Sequence, residues 1–448
     1  MTLISLPVLL LYIPAAVLLT FLIPDRRRDI VEAVGGIGYA WVTGGSTSLT
    51  LVLIAVCTAW LVLRLQPPET DPKRGRYAGT WMWSGIGIQI LLLLLGRYLM
   101  EPVQLFPLLI CTLQGMESIR DRAKGKLTIP GLLPFLCYET PLARMIAGPP
   151  LHRNTAQDLV RSRKITAESV GEGASLCIRG IFQLAVLSLP MSVLTAELQT
   201  GTVLKYAADA WMALAVCYFG IYYALKGAAQ LGQGIGYLAG LHYPDSFDAP
   251  IEAASLRGFW VRFMEPASAW CRRMLLPDGI PQDWAAYSAR VMLMLGGVGM
   301  LLGHSVCGLL WGVSCAVMLT AEHALPPHRI AVFPVMLRRI FTALLMLVSA
   351  GMLRSQSVTE VFSFYGILLG GGGMGFSEQA WYLLNSRKPL LLLCAFGLLP
   401  LRKWMRRFTE KHPAAAKLTA VCKPVAELAM LLLAFTALYG YWLRHAAA

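Results

Sequence analysis

Histidine ordinarily titrates close to neutrality, so it is the natural proton acceptor for chemistry at neutral pH. The chain has seven histidines, and one of them, His304, lies deep inside an apolar run, Gly299-Met-Leu-Leu-Gly303-His304-Ser305-Val-Cys-Gly308-Leu-Leu-Trp311-Gly312. An ionisable group at such depth is costly, which makes it a functional candidate; a neutral imidazole bonded to a neighbouring helix is the structural alternative. His323 follows Glu322 at the end of the same run, 19 residues further on. On an unbroken helix that separation is about 28 Å. His323 is therefore a secondary candidate, able to share a site with His304 only if the segment bends, as the glycines at 303 and 308 permit.

Other chemistries find little support. There is no phosphate-binding Walker motif and no G-x-S-x-G nucleophile elbow. The ten cysteines are scattered singly, with no C-x-x-C and no pair at metal-ligand spacing. That pattern gives neither a disulfide framework nor a metal site. Gly232, Gly234, Gly236 and Gly240 could be taken for a phosphate loop. No strand precedes them, and small residues at this spacing serve close helix packing.

The elements that must position these residues are membrane helices. Of 448 residues, 56% are hydrophobic and 14% charged, against roughly 25% charged in soluble domains. Apolar blocks fall at residues 3–23, 48–65, 81–99, 174–193, 211–225, 341–353, 390–399 and 425–443, and a span needs about 20 residues. Residues 291–321 are too long for one simple span. Without period-two alternation these runs are helices, not barrel strands. The expected fold is all-α: a polytopic integral membrane protein of roughly 11 or more helices. Residues 132–150, apolar but broken by prolines and charges, read as a re-entrant piece. Residues 243–284 mix five prolines with seven aromatic residues, which suits an interface or a funnel between helices. Together these make a shell around a tunnel, one membrane-embedded domain over 1–448 with an irregular motif region at about 226–285.

A net charge of +14 would suggest nucleic acid in a soluble protein. Here it is the mark of cytoplasmic loops, and no nucleic-acid partner is expected. Basic clusters at 26–28, 73–76, 120–126, 161–164, 257–273 and 402–411, read as cytoplasmic, place the N-terminus outside. Binding of acidic lipid by these clusters stays open beside the topological reading.

Several stretches, in order, resemble the membrane-bound O-acyltransferases, specifically the bacterial branch that acetylates alginate or transfers D-alanine in teichoic acid synthesis. They are Gly38-Tyr39-Ala40-Trp41, Ile146-Ala147-Gly148-Pro149, Gly240-Leu-His-Tyr-Pro244-Asp245-Ser-Phe247-Asp-Ala-Pro250, Ser255-Leu-Arg-Gly-Phe259-Trp260-Val-Arg262, Ser268-Ala-Trp270-Cys-Arg272 and Arg354-Ser-Gln-Ser357-Val-Thr-Glu360. The resemblance implies a thioester donor entering a tunnel from the cytoplasm, acetyl-CoA or an acyl-carrier thioester, with no bound cofactor. It makes His304 the catalytic base. Trp260, Arg262, Arg272 and Gln230 are candidates for holding the donor. The family's usual Trp-His-Gly is Gly303-His304-Ser305 here, its Trp-His pair in the cytoplasmic motif is Phe263-Met264, and Gln230 stands where aspartate is common.

The expected activity is transfer of an acyl group, foremost acetyl, across a bacterial inner membrane toward a hydroxyl of an exported polysaccharide or a relay partner. Expected partners are membrane lipid, an extracytoplasmic acyltransferase and polysaccharide machinery. A small-anion transporter or pore is one alternative, and a catalytically weakened scaffold of an export complex is another.

Overall fold

A computed structural model describes residues 7–67, 74–101, 104–198, 203–276, 279, 283–303, 305–325 and 332–446. Helices account for nearly all of them, and no strand occurs among the described residues. Among the described residues eight helices are long and apolar enough to cross a membrane, and three shorter apolar ones accompany them. The chain is thus an all-α, polytopic membrane protein. Large apolar side chains point outward along these helices, among them Leu22, Leu91, Leu293 and Phe362. An exposed apolar surface on this scale is what a lipid-facing belt requires.

The residues fall into two compact units. The first comprises residues 1–181, 227–245 and 435–448. Its longest element, Asp25–Leu65, has 41 residues, about twice the length that crosses a bilayer. It is broken at Gly45, whose φ of 64° suits a residue without a side chain. Residues 31–43, which sequence left as a short span or a dip, continue the first leg. The re-entrant candidate at 132–150 forms two short helices, Leu132–Glu139 and Leu142–Ala147. At eight and six residues they are about 12 and 9 Å long, too short to cross. They are nonetheless buried, with Phe135, Met145 and Ile146 fully enclosed.

The glycine-rich stretch packs as its spacing suggested. Ala167–Phe182 and the C-terminal part of Ala207–Leu238 meet through glycines: a Cβ on Gly173 would lie 2.9 Å from the Gly234 carbonyl, and one on Gly180 2.8 Å from that of Gly227. Two backbones this close leave no room for a larger residue.

The second unit comprises residues 182–226 and 246–434. One core surrounds Tyr222, Tyr223, Met191 and Leu194. Another surrounds Phe259, Trp311, Leu295 and Met346. The 291–321 run is two helices here, Trp284–Leu302 and Ser305–Ala324, folded back on each other as a hairpin.

Candidate functional site

Glycine makes the hairpin. The first helix ends at Gly303, whose N–H donates to Gly299 O at 2.9 Å. A Cβ added at Gly299 would collide with the Gly308 carbonyl, one at Gly312 with the Leu295 carbonyl, and one at Gly303 would stand 2.6 Å from Gly308 Cα. The two helices therefore touch backbone to backbone near the turn. His304 lies outside the described residues; in the chain it falls between Gly303 and Ser305, at this junction. The break falls between Leu302 and Ser305. Nothing shortens the stretch from there to His323, which is one helix, Ser305–Ala324.

At the other end of that helix His323 is exposed, its ring tilted against that of Tyr287 with centroids 4.2 Å apart. Its neighbour Glu322 has a structural task that sequence did not reveal. Its carboxylate accepts from Leu256 N at 2.6 Å and Arg257 N at 3.2 Å, two of the N–H groups that a helix start leaves unpaired. Ser255 Oγ accepts from Gly258 N at 3.0 Å, completing the cap of the helix Leu256–Phe263.

That short helix carries Trp260 inward. Its ring meets Trp311 at 5.9 Å, edge to face, and Trp311 Nε1 donates to Ser349 Oγ at 3.2 Å. Trp260, Trp311, Tyr218, Tyr222 and Ser349 line a narrow cavity of about 30 Å³. Phe247, Phe259 and Phe263 pack around it, ring centroids 5.2 to 5.4 Å apart.

Arg262, two residues on, faces elsewhere, as helical geometry requires. Its Nη1 pairs with Asp248 at 3.1 Å and Glu252 at 3.7 Å. Lys403, from the helix Leu401–Lys411, joins the same carboxylates at 2.6 and 3.1 Å. Partial burial opposes the ammonium charge, but the bonds to Asp248 and Glu252 outweigh it and hold Lys403 above its ordinary value. This four-residue knot also secures Ala249, a non-glycine residue at φ 44°, a backbone state that costs energy unless its surroundings impose it. Arg272 sits near Glu265, 3.8 Å away, with both side chains half-buried. Gln230 belongs to the first unit, and its Oε1 is buried without a hydrogen-bond partner among the described residues.

One further cluster is in the first unit. Glu117 and Asp121, one turn apart on Phe106–Ala123, meet His152, their ligand atoms within 4.8 Å of one another. Sequence spacing could not show this, because the third member comes 31 residues later. Arg120 already lies 2.8 Å from Asp121 and 3.9 Å from Glu117, so a fixed cation sits against both carboxylates, and His152 Nε2 is 3.0 Å from Asp121. The cluster is a salt-bridged, hydrogen-bonded knot.

Fold and site together define a polytopic helical membrane protein with an aromatic cavity beside a hairpin whose turn carries a histidine. No protein-family model matches the chain. It is similar to the probable alginate O-acetylase AlgI of Pseudomonas aeruginosa, 22% identical over 399 residues, 83% of this chain and 75% of the relative. The proteins of that name in Pseudomonas fluorescens (22% over 420 residues, 91% of this chain and 83% of the relative) and Pseudomonas putida (23% over 421 residues, 87% and 84%) align similarly. These likenesses, running along most of both lengths, give the chain a membrane-bound O-acyltransferase-like identity.

Proposed function

We propose that the chain is a membrane-bound O-acetyltransferase that passes an acetyl group from a cytoplasmic thioester, coenzyme A or an acyl carrier, toward a hydroxyl on the exported side. The acceptor is an exported polysaccharide or a relay partner in its modification machinery. The protein lies in a bacterial inner membrane with its N-terminus outside. The similarity to alginate O-acetylases over most of the chain carries this reading.

The hairpin supports it in a specific way. A hydroxyl is almost un-ionised at neutral pH, so its attack on a thioester needs a base within hydrogen-bond reach. His304 at the hairpin junction is that base. It takes the hydroxyl proton as the oxygen bonds to the acyl carbon, and returns the proton to sulfur as the C–S bond breaks. Trp311 is seven residues from His304 in the chain and about 9 Å along the helix from its start at Ser305, and Trp260 packs against it. On this reading the aromatic cavity and Trp260 line the donor's path.

Replacing His304 by alanine tests the reading on purified protein in lipid nanodiscs with radiolabelled acetyl donor. The expected loss is about 10²–10⁴ in rate, with His323→Ala close to wild type because it sits at the opposite helix end. A His304→Ala protein that transfers acetyl normally would remove His304 from the mechanism. A protein that turns over no donor but still supports polymer acetylation in cells would favour a scaffold.

A further inference from the structure

A second cavity, of about 450 Å³, opens within the first unit. Five arginines line it, Arg26, Arg144, Arg153, Arg161 and Arg163, against two carboxylates, Asp29 and Glu32. Arg26, Arg161 and Arg163 belong to two of the basic clusters, Arg144 to the re-entrant piece and Arg153 to the start of the helix Arg153–Arg161, and the fold brings them to one place. Both carboxylates are already taken: Arg163 Nη2 holds Asp29 at 2.8 Å and Glu32 at 3.1 Å. Arg144 donates to the Tyr138 carbonyl and lies over the Tyr138 ring at 5.0 Å.

Arg153 is different. It is 8% exposed, and its Nη1 is buried without a hydrogen-bond partner among the described residues. What surrounds its guanidinium is aromatic, Tyr138 at 4.9 Å and Phe135 at 5.9 Å. Burial pulls its pKa below the ordinary arginine value, the signature of a desolvated cation. Glu139 is near enough to act on its charge, and burial pushes that carboxyl up to about 8. A buried guanidinium with an open donor is expensive unless an anion completes it. The rest of the lining is apolar, including Leu133, Leu159, Val160 and Leu241.

We infer that this cavity binds a phosphate or diphosphate group attached to an apolar or extended chain, with Arg153 as its principal donor and Arg26 and Arg161 at its rim. A planar guanidinium matches two phosphate oxygens at once, and the apolar wall accommodates what the phosphate is attached to. Two molecules present that chemistry: the diphosphate of coenzyme A, and the headgroup of an anionic phospholipid. The site stands independently of the base assigned to His304, since its test is binding and not turnover.

The experiment uses full-length protein in nanodiscs. Coenzyme A and inorganic pyrophosphate are titrated by calorimetry, and retained phosphatidylglycerol is counted by native mass spectrometry. Two variants are compared with wild type, Arg153→Gln and Gln157→Glu. Gln157 lines the cavity on an exposed helix face, so its new carboxylate repels an anion without disturbing the core and keeps the test valid should Arg153→Gln misfold. Weakening of coenzyme A and pyrophosphate by about tenfold or more in both variants supports the site and identifies the donor. Loss of bound phosphatidylglycerol in both, with coenzyme A affinity unchanged, supports the site and identifies lipid. Unchanged binding of all three probes in folded variants overturns the proposal.

Discussion

Glu322 shows how a single side chain can shape a site without facing it. Its two carboxylate oxygens take the first N–H groups of the helix that carries Trp260, and the negative charge also suits the positive end of the helix dipole. That helix has only eight residues, too short to be stable without its ends secured. Glu322→Ala should therefore loosen it by about 0.5–2 kcal/mol, seen as faster amide exchange across 256–263. Exchange elsewhere along Ser305–Ala324 should stay slow. Uniform protection in the variant would mean that Ser255 alone suffices as the cap. Arg262 makes the complementary point, since its partners hold the loop before the helix. Its guanidinium is occupied by protein carboxylates, which leaves Trp260 as the member of that pair turned to the cavity.

At the scale of elements, the hairpin rests on glycine contacts at 299, 303, 308 and 312. Gly297, two residues before Gly299 on the same helix, has nothing within 4 Å of the place its Cβ would occupy. The two positions should answer the same substitution with opposite sign. Gly299→Ala forces the helices apart and should cost about 1–3 kcal/mol, read as a lower thermal midpoint with reduced transfer activity. Gly297→Ala should be neutral or stabilising by up to about 1 kcal/mol, because alanine is the better helix former. Equal effects at both sites would mean that propensity, not packing, governs the turn. These elements also show what sequence could display. The span-length runs, the excess length of 291–321 and the helix-packing glycines were legible, because hydropathy and small-residue spacing act within one or two helices. Residue type alone singled out Trp260, which lines a cavity, and His304, which lies outside the described residues. The cap from Glu322 was not, since its acceptors and donors are 66 residues apart, nor was Lys403 joining Glu252 across 151 residues. No local period encodes pairs at that distance. The arginine cavity was hidden for a different reason: the positive-inside rule already accounts for Arg26, Arg161 and Arg163, and no local spacing joins them to Arg144 or Arg153.

At the scale of the molecule, the same long-range pairs fix which segments of the second unit share a membrane face. Lys403 bonds Asp248 and Glu252, so the helix Leu401–Lys411 and the segment before Trp260 lie on one side. Glu322 bonds the backbone at 256 and 257, which brings the far end of the hairpin to that side too. Both basic clusters are there, and the positive-inside rule predicts that this side is the cytoplasm. Each leg of the hairpin, 19 and 20 residues, is about 28–30 Å long and enough to cross the hydrocarbon core. The Gly303 turn is then expected to open toward the exported face. In a cysteine-free background, single cysteines at positions 257 and 406 should react with an impermeant maleimide only after the cytoplasmic side is opened. One at 305 should react from outside in intact cells. Labelling that separated 257 from 406 would contradict the ion-pair knot itself. Labelling of all three from the cytoplasm would contradict the crossing and put the histidine on the donor's side, where it could not hand an acyl group to an exported acceptor.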